Sequence, residues 1–315
     1  MTRRINILLM ILLVFVGAPV WYLFIDSSPW SNKSARLDIA GARQLVAAAS
    51  GQRPDRVAFE LVAFRSATGN LLAAGSGFRP QLVGVMAYRL EVPGARPIVI
   101  ETGLTPAYAQ ELGMENFDAA AQVRVDDSLR TASLILVTHE HADHLGGLAA
   151  ITATPGGAAI AAKARLNRFQ VPSAQSTPAL PWATGLKIPA TLTQDRPQLV
   201  APGVVVIPTP GHTPGSQMIY VQLANGTEFL FVGDTAPREV SWLERRPPSR
   251  LVTDFTVPQD RVALIGWLNA LHDLARSAPK LNLIPGHDLD WLIDPNNRTP
   301  LVKMRDSLPQ KVAGK

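Results

Sequence analysis

Residues 138–147 read THEHADHLGG and directly follow ASLILV, residues 132–137, an apolar run typical of a strand buried on both faces. Three of the six histidines in the chain and one aspartate fall within six consecutive positions. These are His139, His141, Asp143 and His144. Four such side chains are costly to bury together unless they bind something. Loops that follow strands are rigidly aimed and often functional, so the stretch predicts a metal site at the end of a strand.

Three more potential ligands follow apolar runs that we predict as strands. His212 lies in TPGHTPGS after residues 204–207, Asp234 in FLFVGDTAP after 229–232, and His287 in LIPGHD after 281–284. Neighbouring glycines let the backbone turn sharply, so these side chains are expected at one shared rim. The sixth histidine, His272, lies in a predicted helix over 261–276 and is interpreted as structural. The mixture of strand runs and helices predicts stacked layers of the two.

The composition limits the chemistry. The chain has no cysteine, which excludes disulfides, thiolate ligands and a cysteine nucleophile. Histidine and carboxylate ligands favour zinc, with iron or manganese as alternatives. The net charge is +5, but the only short basic clusters are Arg3–Arg4 and Arg245–Arg246, without interleaved aromatics. We therefore expect no nucleic-acid partner.

Residues 5–25, INILLMILLVFVGAPVWYLFI, carry no charge and follow Arg3–Arg4. As a helix they would rise about 31 Å, enough to cross a bilayer core. Trp21 and Tyr22 suit a membrane interface, and the arginine pair predicts a cytoplasmic N-terminus. This favours an uncleaved anchor with a periplasmic catalytic domain. The alternatives are a cleaved signal that yields a secreted protein, and a buried core helix.

The ordered set HxHxDH, His212, Asp234 and His287 resembles the metallo-β-lactamase superfamily over roughly residues 80–295, and IVIETG at 98–103 is similar to a strand of that family. The resemblance implies an α+β fold, a four-layer αββα sandwich that here would follow an N-terminal transmembrane helix. It also implies two metal ions, most simply Zn²⁺, that share a hydroxide. The first ion would be held by His139, His141 and His212, and the second by Asp143, His144 and His287. Asp234 would bridge both, and Asp143 and Asp234 would take part in catalysis.

The resulting division of the chain has four parts. Residues 1–29 form the anchor, 30–80 an N-terminal extension, 81–300 the hydrolase domain and 301–315 a C-terminal tail. The role of the extension stays open between a sheet extension, a dimerisation element and a pocket wall. The oligomeric state also stays open.

The expected activity is hydrolysis of a small-molecule ester, lactone or thioester. GHTPG with Gln217 and GHD at 286–288 resemble quorum-quenching lactonases, but Pro237 stands where those carry a substrate-contacting tyrosine. The alternatives are a β-lactamase-like or phosphodiester hydrolase and a non-catalytic metal-binding module. Glu101 and Thr138 are expected to orient the imidazoles. Four aromatic residues are expected in loops around an apolar pocket: Trp182, Trp242, Phe255 and Trp291.

Overall fold

The computed structural model describes residues 3–172 and 180–307. The strands are β1 (Arg56–Thr68), β2 (Pro80–Glu91), β3 (Ile98–Ile100), β4 (Asn116–Phe117), β5 (Leu134–Leu136), β6 (Leu166–Asn167), β7 (Ala190–Leu192), β8 (Gln198–Ala201), β9 (Val204–Pro208), β10 (Gln217–Gln222), β11 (Glu228–Gly233), β12 (Leu281–Pro285) and β13 (Leu301–Lys303). The helices are α1 (Arg3–Ile25), α2 (Ile39–Ala48), α3 (Gly69–Leu72), α4 (Pro106–Glu111), α5 (Ala119–Thr131), α6 (Ala142–Thr152), α7 (Gly157–Ala161), α8 (Glu239–Leu243), α9 (Arg261–Ser277), α10 (Leu289–Ile293) and α11 (Met304–Ser307). A π-helical segment spans Leu251–Thr256.

Two sheets form the centre of the fold. The first has the strand order β13-β1-β2-β3-β5, with β4 also paired to β1. The second has the order β12-β11-β10-β9-β8. β10 and β11 are joined by the turn at Asn225–Gly226, a dipeptide typical of tight hairpin turns, and pair antiparallel from Gln222 with Glu228 onward.

Alternation along β9 explains how the sheets are covered. Val204 and Val206 pack into the core between the two sheets, whereas Val205 and Ile207 pack into the core beneath α2 and α9. A third core lies between the first sheet and the helices α5, α6 and α7. Each sheet therefore buries both faces, and the layers run helix, sheet, sheet, helix. The predicted αββα class is confirmed.

Residues 30–80 contribute to both halves of the sandwich. α2 buries Ile39, Ala42 and Val46 against the second sheet, with Asp38 capping its N-terminus through the Gly41 amide. β1 pairs along its whole length with β2 and is therefore an integral strand of the first sheet. β13, from the segment assigned to a tail, pairs parallel to β1 from Val57 with Leu301.

α1 is long and apolar enough to cross a membrane, and none of its most apolar window is buried. Its C-terminal end is nevertheless held by the domain. The Asp26 carboxylate accepts from Arg250 Nε at 2.7 Å, and the Asp26 carbonyl accepts from Arg261 Nη2 at 3.1 Å. Arg261 also donates to the Ser28 carbonyl at 3.0 Å. Because Asp26 and Arg261 are each only 6% exposed, the junction is a buried part of the domain; Asp26, Ser28, Arg250 and Arg261 are called the anchor clamp below.

Candidate metal centre

The predicted ligands meet at one edge of the sandwich. His139 and His141 lie between β5 and α6, and Asp143 and His144 lie in the first turn of α6. The others follow the ends of β9, β11 and β12. These side chains form two groups in which the candidate ligand atoms lie within 4.8 Å of one another: His139, His141, His212 and Asp234 in one, and Asp143, His144 and His287 in the other.

In the first group three imidazole nitrogens converge. His141 Nδ1 lies 3.0 Å from His139 Nε2 and 3.0 Å from His212 Nε2. A neutral imidazole carries a single N–H. Hydrogen bonds through the His141 ring therefore cannot satisfy all three converging nitrogens at once. A cation placed among them would use all three lone pairs.

Asp234 lies between the two groups. Its Oδ1 is 3.0 Å from His287 Nε2 and 3.5 Å from His144 Nε2. Its Oδ2 is 3.4 Å from His212 Nε2 and 3.9 Å from His139 Nε2. Each carboxylate oxygen thus faces a different group, which is the arrangement that a carboxylate shared by two cations requires.

The second group is tighter at its centre. His144 Nε2 lies 3.2 Å from His287 Nε2, and Asp143 Oδ2 lies 3.6 Å from His287 Nε2. Asp143 and the neighbouring Asp234 have side chains 18% and 14% exposed, whereas His144 and His287 are nearly closed off. Solvent therefore reaches the centre at these carboxylates and at His141 of the first group, which is also partly exposed.

The outer ring nitrogens of His139 and His287 are held by hydrogen bonds, and that of His144 faces a carboxylate. His139 Nδ1 lies 3.1 Å from Thr138 Oγ1, and His144 Nδ1 lies 3.1 Å from Glu101 Oε2. His287 Nδ1 lies 2.8 Å from the Gly84 carbonyl, an acceptor that fixes the proton on Nδ1. Such contacts orient the ring and leave the inner nitrogen as the ligand atom. The contacts expected of Glu101 and Thr138 are therefore present.

Glu101 has a strained backbone. Its φ of 63° is uncommon for a residue with a side chain. The conformation lets one buried carboxylate serve two partners, because Oε1 accepts the Thr138 amide at 3.0 Å while Oε2 faces His144. Strain at this position is offset by these contacts and marks it as a positioning residue.

Electrostatics separates the histidines. Burial, reinforced by the neighbouring His144, lowers the pKa of His139 well below its usual range, and burial lowers the pKa of His212 to about 4. Both rings are therefore neutral at pH 7, the form that binds metals. Burial also opposes the charged form of His144, but Glu101 and the two aspartates outweigh it and raise its pKa to about 10. The carboxylates around the second group therefore stabilise a positive charge there.

The aspartates are ionised. Burial would raise the pKa of Asp234, but His287, His212 and His139 together hold it well below its usual range. Asp234 Oδ1 and His212 Nδ1 are buried without a hydrogen bond of good geometry among the described residues. Buried polar atoms normally have partners. Converging neutral imidazoles and a buried carboxylate with unsatisfied capacity fit a pair of divalent cations.

Sequence reasoning missed Glu140, the residue between the first two histidines. Its carboxylate accepts from Thr213 Oγ1 at 2.9 Å and from the Gly215 amide at 3.2 Å. These bonds tie the loop that carries His212 to the loop that carries His139 and His141. No local signal identifies this role, because the partners are more than 70 residues away.

Two glycines permit the close approach of these loops. A Cβ at Gly147 would come within 1.9 Å of the Thr102 carbonyl oxygen, so α6 can only pack there with glycine. A Cβ at Gly286 would lie 2.6 Å from Asp234 Oδ1. Both glycines are therefore needed for space, and they set the distance between the ligand loops.

The aromatic residues expected around a pocket are mostly core residues. Trp242 is 3% exposed in the core under the second sheet, while Trp182 and Trp291 pack against the other two cores. Phe255 is 66% exposed. His272 lies outside the centre, with Nδ1 3.1 Å from the carbonyls of Trp242 and Leu243, in keeping with a structural role.

The sequence pattern described as the metallo-beta-lactamase superfamily matches residues 81–287. Together with the four-layer sandwich and the two ligand groups at its edge, this match places the chain in that family. The chain belongs to the metallo-β-lactamase superfamily.

One curated relative is a UPF0173 metal-dependent hydrolase of Cupriavidus necator, 30% identical over 167 residues. The match covers 49% of this chain and 54% of that protein, so the chain spans about half the length of this relative.

Solved structures share the fold. An N-acyl homoserine lactone hydrolase with N-hexanoyl-L-homoserine bound at its catalytic metal centre has a TM-score of 0.56 at 17% identity, over 76% of this chain and 95% of that chain. A probable metal-dependent hydrolase from Staphylococcus aureus has a TM-score of 0.56 at 13% identity, over 76% and 91%.

Proposed function

We propose that this chain is a membrane-anchored metal-dependent hydrolase with two metal ions, which cleaves a small-molecule ester, lactone or thioester. One observation carries the proposal. Asp234 lies between the two groups of candidate ligands, with Oδ1 towards His287 and Oδ2 towards His212. A site that only stabilised the fold would need four ligands around one ion. Seven ligand-type side chains at a solvent-accessible edge exceed that requirement.

In this proposal His139, His141 and His212 hold one ion, and Asp143, His144 and His287 hold the other, with Asp234 shared. Zinc suits the donor set, and iron or manganese would also be accepted. Divalent cations bound there would supply water acidified to a nucleophile at neutral pH and would polarise the carbonyl that is attacked. Thr138, Glu101 and Glu140 orient the ligands so that these positions are fixed before substrate arrives.

Asp143 is the side chain proposed to move the proton. It is the more exposed of the two central carboxylates, and its Oδ2 lies 3.6 Å from His287 Nε2. His144 and His287 hold the pKa of Asp143 below its usual range, against the effect of burial. An ionised carboxylate here can accept a proton as the carbonyl is attacked and release it to the departing oxygen or sulfur.

A lactone is the first substrate class to test, because the lactone hydrolase named above carries its hydrolysis product at its own metal centre. Pro237 offers no hydroxyl to a substrate, and its carbonyl instead accepts from the His287 amide at 2.9 Å. The loop after Asp234 therefore positions His287, and substrate selection must depend on other residues. This favours testing thioesters and open-chain esters beside lactones.

We further propose that α1 remains attached and anchors the catalytic domain outside the cytoplasm. Cleavage after Ser28 would remove Asp26 and Ser28 from Arg250 and Arg261. It would leave the buried Arg261 guanidinium short of two of its carbonyl acceptors, which is a costly defect. The test is membrane fractionation with N-terminal sequencing of the recovered chain. A chain whose N-terminus lies beyond Ile25 would contradict retention of the anchor.

The experiment is proton release by the purified full-length chain in detergent, loaded with zinc, on a panel of lactones, thioesters, simple esters, β-lactams and phosphodiesters. Asp234→Ala is the inactive comparison. His272→Ala is the matched control, because this histidine lies on α9 away from the centre. Acid release by wild type and His272→Ala alone would support hydrolysis and identify the bond. Equal release by wild type and Asp234→Ala on every substrate would refute it.

A further inference from the structure

Exposed arginine and aromatic side chains surround the end of α1. Trp30 is 87% exposed and Phe78 is 56% exposed, and Arg79 and Arg245 are also exposed. These four residues are called the basal surface. Among the residues that the structure describes, neither Arg79 nor Arg245 takes part in an ion pair. The basal surface is therefore both positively charged and aromatic.

A direct contact of Phe78 and a cleft shared by Trp30 place this surface level with the last turn of α1. The rings of Phe24 and Phe78 have centroids 5.9 Å apart, and the Gly75 amide donates to the Phe24 carbonyl at 3.1 Å. Trp30 lines a cleft beside α1 together with Trp21, Glu244 and Arg246. Arg245 lies between Glu244 and Arg246 in the sequence. When α1 crosses a bilayer, its last turn lies at the interface, and the basal surface must lie at the same depth.

The segment that joins α1 to the domain is held along its length by hydrogen bonds. Arg250 donates to Asp26 and, through Nη2, to Ser28 Oγ at 2.8 Å, and its guanidinium lies 4.8 Å from the centroid of the Tyr22 ring. Arg261 holds the carbonyls of Asp26 and Ser28 from the start of α9. Beyond the clamp, Asn269 donates to the carbonyls of Ser31 and Lys33. Residues 26–33 thus run along the domain as a fixed strap.

We propose that the basal surface binds the anionic headgroups of the bilayer that α1 spans, so that the catalytic domain is held against the membrane at a fixed angle. This inference rests on the proposed anchor. Arginine guanidinium groups pair with headgroup phosphates, and tryptophan and phenylalanine rings suit the depth of the interface. A flexible tether would need no such surface.

The geometry also limits how far the metal centre lies from the membrane. Between Phe78 and Gly84, whose carbonyl holds His287, the chain advances six residues, and an extended chain of this length spans at most about 20 Å. On the other side, Arg261 of the clamp adjoins Asp260, whose amide donates to Gly211 beside His212 at 2.8 Å. The first route keeps Gly84, which holds His287, within about 20 Å of Phe78 on the basal surface.

The absence of cysteine allows a direct test on the full-length chain in nanodiscs of anionic lipid. Single cysteines at Phe78, Arg245, Val16 and Asn225 are labelled with an environment-sensitive fluorophore, and lipids carry a quencher at the headgroup or in the acyl chain. Val16 reports insertion of α1. Asn225, exposed in the β10–β11 turn at the opposite edge, is the aqueous control.

Docking predicts headgroup quenching and blue-shifted emission at positions 78 and 245, acyl-chain quenching at 16, and neither effect at 225. Labels at 78 and 245 that match 225, with 16 quenched, would overturn docking and leave the anchor intact. A label at 16 that also stays in water would overturn the anchor and the docking together. Hydrolytic activity is measured on the same samples, so failure of the proposed chemistry is seen separately.

Charge reversal tests the arginines. Arg79→Glu combined with Arg245→Glu changes only exposed side chains, so folding is expected to be retained and is checked by metal content. Headgroup quenching of a label at position 78 should fall towards the level at 225. Unchanged quenching in this variant would overturn the assignment of anionic headgroups as the ligand.

Discussion

The contact of Glu140 with the His212 loop leads to a sharp prediction for metal affinity. Glu140→Ala removes the acceptor of Thr213 Oγ1 and of the Gly215 amide. A hydrogen bond to a charged group contributes about 1.5–3 kcal/mol, and Glu140 is partly exposed, so the lower figure applies to each bond. The loss is therefore at most about 3 kcal/mol. Only part of it reaches the metal, because the loop is also held by other bonds.

A tenfold change in affinity corresponds to about 1.4 kcal/mol, so we expect Glu140→Ala to weaken the His139, His141 and His212 site by about 10–100-fold. The second site should keep its affinity, because none of its ligands lies on the loop that Glu140 holds. The assay is zinc titration of the full-length chain against a chromophoric chelator, which resolves the two binding steps.

Two variants make the titration interpretable. Glu140→Gln keeps one carbonyl oxygen as an acceptor and should lose less affinity than the alanine variant. Glu115→Ala is the matched control, because Glu115 also accepts from a backbone amide, that of Ser66, but far from the centre. Wild-type affinity at both sites in Glu140→Ala would refute the positioning role, and equal weakening of both sites would refute its restriction to the His212 loop.

The contacts of Asp234, Glu101 and Asp26 each predict the effect of a substitution. Asp234→Asn should halve the zinc bound per chain and lower hydrolysis at least about 100-fold, measured by elemental analysis and proton release; two ions retained at full activity would contradict the bridging role. Glu101→Gln should weaken zinc binding about 10-fold at the His144 site alone, and an unchanged second titration step would refute this. Arg250 and the hydrogen bonds of Ser28 lower the pKa of Asp26, against the raising effect of burial, so its pairing stabilises the fold above pH 3.8 and is lost as pH falls through the lower folded value. Asp26→Asn should therefore destabilise the chain at pH 7 and remove part of the acid-induced loss seen by circular dichroism; equal pH profiles would contradict it.

The convergence of the candidate ligands could be predicted because its signals are local. Each ligand follows an apolar run that forms a strand, and glycine marks the turn that brings it to the edge. The order of motifs along the chain carried the resemblance to the superfamily, and that resemblance implied the sandwich. β5, β9, β11 and β12 all end within a few residues of the predicted positions.

The parts that sequence reasoning left open depend on distant partners. The run RVAFELVAFRS predicts a strand, but nothing local indicates that β1 joins the first sheet between β2 and β13. The roles of Glu140 and Arg261 are similarly hidden, since each is an ordinary charged residue until its partners are known. The aromatic pocket was mispredicted for Trp242 because a tryptophan beside a loop equally suits a buried core, which is where it packs.

The anchor clamp has a consequence for the order of folding. Asp26 precedes its partners Arg250 and Arg261 by 224 and 235 residues in sequence. Contacts between such distant residues form late, because closing a long loop precedes any gain from the contact. The segment around Asp26 is therefore expected to stay unclamped while most of the sandwich forms. Under the proposed membrane anchor, the angle of the domain to the bilayer would become fixed only when α9 has been synthesised, so orientation would be among the last properties that the molecule acquires.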